Sequence, residues 1–107
     1  MHVIGADKRI ISMGSEIFVT AFRLQGIEGF ITSAHDFERI LDIVLKDESI
    51  AIVFLEQELY FVNQEKMDDL KTKLQRPLFI EIPIDSRKKN KDIVGELIRK
   101  DIGIQLE

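Results

Sequence analysis

A chain of 107 residues with 45% apolar and 32% charged side chains can close one hydrophobic core and is too apolar for disorder; no apolar run nears the roughly 18 residues of a membrane span. Its net charge of -4 argues against nucleic-acid binding, which needs a basic face, and the absence of cysteine removes thiol catalysis, disulfides and thiolate metal sites. The start, MHVIGADKR, lacks the apolar core and cleavage site of a signal peptide, so one domain over residues 1–107, kept in the cytoplasm, is expected.

Residues 1–8 read as a lead-in. The first strand is predicted from Arg9 to Met13, a short apolar run that stops at Gly14-Ser15. Ser15 is placed as the N-cap of a helix over residues 16–25, with Glu16 facing the positive end of its dipole and Ile17, Phe18, Ala21, Phe22 and Leu24 at helical spacing. Gly26 falls where a left-handed residue ends a helix, and residues 27–32 resume as a strand in which Gly29 allows close packing. The unit then repeats. Ser33 caps a helix over 34–46 with Phe37, Ile40, Leu41, Val44 and Leu45 on one face, and IAIVFL at 50–55 has the continuous apolarity of a central parallel strand.

Residues 56–62 read either as a helical turn or as an irregular loop. Asn63 caps a helix over 64–74 with Met67, Leu70 and Leu74 inward; Pro77 bars further helix, and LFIEI at 78–82 makes a fourth strand. A polar, basic segment at 85–90 leads into a last helix over 91–102, stopped by Gly103. Four strands alternating with four helices predict an α/β domain. Its sheet is parallel, of order 2-1-3-4, flanked by helices in a flavodoxin- or receiver-like three-layer sandwich, with 91–107 as a C-terminal helix and tail.

Ligands of such a sheet bind at the carboxyl ends of its strands, at the switch point between strands 1 and 3. The residues there are Gly14, Ser15 and Glu16, then Glu56, Gln57 and Glu58, then Ile84 and Asp85. A single Gly-Ser followed by Glu16 is a poor phosphate cradle, because Glu16 repels the anion; an N-capped helix start is the simpler reading. A receiver site needs an acidic pair after strand 1, an Asp after strand 3 and a later Lys, whereas this chain offers Ser15-Glu16, Glu56 and no matching Lys. Glu56 and Glu58 read as helix-dipole partners before they read as an acid-base pair.

His2 and His35 are isolated, and the run Arg87-Lys88-Lys89-Asn90-Lys91 reads as a solvated loop. No catalytic, cofactor-binding or metal-ligating residue is assigned. What remains is apolar: Tyr60, Phe61 and Val62, with Ile104 and Leu106, form either a partner surface or a flap folded onto the core.

Residues 13–27, MGSEIFVTAFRLQGI, resemble the first βα unit of the F subunit of the archaeal and vacuolar-type rotary ATPases, in which a helix ends in Phe-Arg-Leu-x-Gly before an aliphatic residue. Phe22, Arg23, Leu24, Gly26 and Ile27 match in order, and IAIVFLEQEL (50–59), PLFIEIP (77–83) and ELIRKDIGIQL (96–106) extend the similarity over nearly the whole chain. The chain departs from the family at Ser15, Ile17, Phe18 and Ala21, where Asp, an acidic residue, Thr and Gly are common.

The resemblance implies a non-catalytic central-stalk subunit without a cofactor. It would bind the coiled-coil D subunit and, through it, the A/B catalytic ring and the membrane sector, coupling ion transport to ATP synthesis or hydrolysis. It would be peripheral to the membrane, uninserted, and free of nucleic acid, with the C-terminal helix as a regulatory element. The interface candidates are Arg23, Tyr60, Phe61, Arg99, Lys100 and Ile102. The alternative is a stand-alone receiver-like signalling or small-ligand-binding domain.

Overall fold

Strand β3 (Ile50–Glu56) sits between β1 (Arg9–Gly14) and β4 (Leu78–Ile82), and β2 (Gly29–Ile31) lies outside β1. Every pairing is parallel, so the order is the predicted 2-1-3-4 and all four strands end at one edge. The computed structural model describes residues 8–84. The predicted helix over 91–102, with Arg99, Lys100 and Ile102, lies outside them, as do His2, Asp85, the basic run 87–91, Ile104 and Leu106.

The period-two alternation of the strands divides the core in two. Ile11, Met13, Val53, Leu55 and Phe79 face helices α2 (Phe37–Lys46), α3 (Gln57–Val62) and α4 (Gln64–Lys73). Ile52, Phe54 and Ile82 face α1 (Glu16–Arg23). The register between β1 and β3 slips at Arg9/Ile10, where Ala51 is the extra residue on β3; the slip puts Ile50 on the same side as Val53. On the α1 side Phe22 stacks on Phe54 with centroids 5.0 Å apart and interplanar angle 14°, and Phe18 tilts against Phe22 at 4.9 Å.

Helix α1 starts as its sequence predicts, with Ser15 Oγ accepting from the Phe18 N–H at 3.3 Å. At its far end Gly26 has φ +88°, the Gly26 N–H donates to Arg23 O, and the Ile27 N–H donates to Phe22 O. This paired closure is a Schellman motif, which needs a left-handed residue that glycine supplies without strain. Of the apolar positions at helical spacing, Phe18, Ala21 and Phe22 are buried while Ile17 and Leu24 are exposed, and Val19 completes the buried face.

Other boundaries differ for local reasons. Strand β2 is three residues long, flanked by two further ladder-like bonds, Ser12 N–H to Glu28 O and Thr32 N–H to Gly14 O. Ser33 does not cap α2. Residues 34–36 form a turn, α2 begins at Phe37, and Asp36 turns its carboxylate back towards the loop. In the ambiguous segment 56–62, Glu56 ends β3 and Gln57–Val62 form helix α3, and Asn63, predicted as a cap, makes no side-chain bond to α4. Its amide donates instead to Leu59 O at 2.9 Å and closes α3. Met67 is buried under α4 as expected, while Leu74 is exposed.

Candidate functional site at the carboxyl edge

The two edges of the sheet are built differently. At the amino edge Arg9 ties β1 to its neighbours: it pairs with Glu28, donates to Asp47 Oδ2 at 2.6 Å and donates to Ser49 Oγ at 3.1 Å. Asp47 also accepts from the Ser49 hydroxyl and N–H, and these bonds, with Arg9, hold its carboxyl below the usual range. Arg76 donates to the carbonyls of Asp47 and Leu45 from the entry to β4. The α2–β3 loop is thereby locked by two arginines.

At the carboxyl edge of the sheet lies a hollow of about 490 Å³. Its floor and lip are Leu59, Ile31, Ala34 and Val62, and its charged wall is Glu16, Asp36, Glu56 and Glu58. The first turn of α1, the loop after β2, the end of β3 and α3 all contribute. This is the switch point between β1 and β3 that sequence order predicted.

Two of the four carboxylates are committed to the fold. Glu56 Oε1 accepts from the Ser15 N–H at 2.8 Å across the β1–β3 pair. A Cβ on Gly14 would lie 2.7 Å from that oxygen and 2.7 Å from Phe18, so only glycine lets the carboxylate and the ring close over the corner. Asp36 Oδ1 accepts from the Ser33 N–H and the Thr32 hydroxyl, both at 2.8 Å, and from the Ser33 hydroxyl at 3.3 Å. The Ser33 N–H and then the Thr32 hydroxyl are the main reasons its carboxyl falls to about 2.

The consequence is chemical. A phosphate at the start of α1 would compete with the Glu56 carboxylate for the Ser15 N–H and would face Glu16. Among the described residues the receiver arrangement has no counterpart either: Glu56 faces a backbone amide, and no three His, Cys, Asp or Glu side chains are grouped as a metal site. His35 is exposed in the turn before α2.

The predicted interface residues separate. Arg23 is exposed at the end of α1, hence at the amino edge and on the α1 face. Phe61 is 58% exposed on α3, at the carboxyl edge and on the opposite face. Tyr60 beside it is buried: its hydroxyl donates to Asp68, Lys71 Nζ lies 4.7 Å from its ring centroid, and Lys71 pairs with Glu81 on β4. The hydrogen bond to Asp68, followed by burial, pushes the phenol above its usual range. Tyr60 therefore anchors α3 to α4, and Phe61 with Val62 forms the outer surface.

Sequence reading missed the roles of Glu56, Asp36 and Arg9. Asp36 had a local signal in the Thr-Ser-x-x-Asp spacing, which suits a side chain bonding back to the backbone. Glu56 and Arg9 had none, since their partners are distant in the chain.

No helix among the described residues is long and apolar enough to cross a membrane. No individual curated protein matches the chain. A family model described as ATP synthase (F/14-kDa) subunit matches residues 10–102, a span that runs through every strand and helix described above. With most of its length matched and the α/β sheet intact, the chain belongs to the ATP synthase (F/14-kDa) subunit family.

Proposed function

We propose that this protein is the non-catalytic F subunit in the central stalk of an archaeal- or vacuolar-type rotary ATPase. It binds the coiled-coil D subunit and helps couple ion transport to ATP synthesis or hydrolysis from the cytoplasmic side of the membrane. Family membership supplies the complex. The observation that favours a binding role over chemistry is the β1–α1 corner, where Glu56 already takes the Ser15 N–H that a bound anion would need. The exposed apolar side chains of α3 supply contact surface.

Arg23 and Phe61 belong to different sides of the domain, so on this reading either one partner wraps an edge of the sheet or two partners share the work. Residues 91–107, with Arg99, Lys100 and Ile102, are proposed as the regulatory helix and tail of the same domain.

Co-expression with the coiled-coil stalk partner of the same source tests the proposal. Co-elution on gel filtration at micromolar concentration is expected, and separate elution overturns it. Saturable binding of magnesium with a phosphoryl donor at the Gly14 and Glu56 corner would favour the receiver-type alternative instead.

A further inference from the structure

We infer that the apolar hollow at the carboxyl edge is a docking pocket for a basic side chain, arginine or lysine, carried next to an apolar residue on the stalk partner. The inference rests on the stalk reading and goes beyond it by naming the surface used and the chemistry it recognises.

Three observations converge. The first is uncovered apolar area from separate elements: Val62 of α3 is 62% exposed and Ile31 of β2 is 49% exposed, and both line the same hollow with Leu59 beneath them. Apolar side chains gathered around a concavity of about 490 Å³ offer more complementary contact than a flat patch. The second is the sign of the wall. Among the described residues, every titratable side chain lining the hollow is a carboxylate, with no Lys, Arg or His among them.

The third is which carboxylates remain available. Glu56 and Asp36 are bonded to backbone and hydroxyl groups, and Asp36 is ionised far below neutral pH. Among the described residues Glu16 and Glu58 make no ion pair and no side-chain hydrogen bond.

Physical chemistry narrows the occupant. An anion is repelled by four carboxylates, and a purely apolar side chain would strip water from Glu16 and Glu58 without repaying their solvation. Arginine and lysine meet both demands, since their methylene stems lie on apolar surface while the charged head stays at the rim. A neighbouring apolar residue on the partner would cover Val62 and Phe61. Because the wall comes from three separate stretches of chain, the pocket exists only in the folded domain.

The test uses the full-length protein and its coiled-coil stalk partner, titrated by calorimetry at low and physiological salt. Wild type is measured first; if it fails to bind at micromolar concentration, the stalk reading falls. If it binds, the Glu16→Lys/Glu58→Lys double variant should bind at least about tenfold more weakly. A control, Glu48→Lys/Glu65→Lys, makes the same change of net charge at exposed positions outside the hollow and should stay within about twofold.

Equal weakening by both variants means a diffuse field effect and overturns the pocket; no weakening by the first also overturns it. Should the Lys pair disturb folding, Glu16→Gln/Glu58→Gln removes the charge without changing the shape. Its expected signature is weaker binding with a shallower dependence on salt, and an unchanged salt slope counts against the pocket.

Discussion

The carboxylate of Glu56, at the end of β3, accepts a hydrogen bond from the backbone N–H of Ser15, at the start of α1, at 2.8 Å. The bond joins two segments 41 residues apart and closes the corner at which sheets of this topology usually hold a ligand. Glu56→Ala should cost about 0.5–1 kcal/mol in a urea titration, because the bond is solvent-exposed and water can take the place of the lost acceptor. Glu56→Gln keeps an acceptor and should cost less. Gly14→Ala should cost about 1–3 kcal/mol, because its Cβ would press on both Glu56 and Phe18. A Glu56→Ala protein as stable as wild type would mean that the corner is held by other contacts.

A second relationship lies inside the sheet. Ser12 is fully buried on β1 with its hydroxyl unpartnered, and Gly29 on β2 is paired with it in register. A Cβ on Gly29 would collide with Ser12 Oγ and lie 2.9 Å from Val19 Cγ1. Ser12→Ala is therefore expected to be neutral or to stabilise by about 1 kcal/mol, by removing an unsatisfied hydroxyl. Gly29→Ala should destabilise, and the double variant should recover part of that loss. Strict additivity in a double-mutant cycle would show that the two side chains do not compete for the same space.

How far these relationships were legible depends on their range along the chain. Ile50 to Leu55 declared itself a central strand by unbroken apolarity, and Gly26 declared a helix end, because both signals are local. The strand order followed from the alternation of elements. Ser33 and Asn63 misled because capping residues are chosen by chemistry the sequence does show, while the partner each takes is set by geometry it does not. Asp36 turned the first into a donor, and Leu59 O drew the amide of the second. At the site, the acids were visible as residues, but the bond from Ser15 to Glu56 needs the register of β1 on β3, which no pattern in the sequence states.

Asp36 carries a pH signature. Its folded carboxyl titrates at about 2, against 3.8 for an ordinary aspartate, so the unfolded chain takes up the proton first as pH falls. The stabilisation is complete above 3.8 and is lost progressively down to about 2. Asp36→Asn cannot take up that proton. The difference in urea midpoint between wild type and Asp36→Asn should be constant near neutral pH and shrink as pH falls through that window. A difference independent of pH would show that the charge on Asp36 contributes nothing to the turn.

Adjacent aromatic residues on α3 should separate stability from binding. Tyr60 is 6% exposed, donates to Asp68 and lies beneath Lys71, so Tyr60→Ala opens a core cavity and should cost about 3 kcal/mol or more. Tyr60→Phe, which removes the hydroxyl alone, should cost about 1 kcal/mol and leave Asp68 facing solvent. Phe61 is 58% exposed and touches the Tyr60 ring edge-on at 6.3 Å, so Phe61→Ala should change stability by no more than about 0.5 kcal/mol. If α3 meets the stalk partner, Phe61→Ala should nonetheless weaken the complex by about tenfold, the scale of an interface anchor. Tyr60→Phe should leave the affinity near wild type, since its hydroxyl faces α4 rather than the partner. An affinity loss for Tyr60→Phe with none for Phe61→Ala would reverse the assignment and put the contact surface on the α4 side of the helix.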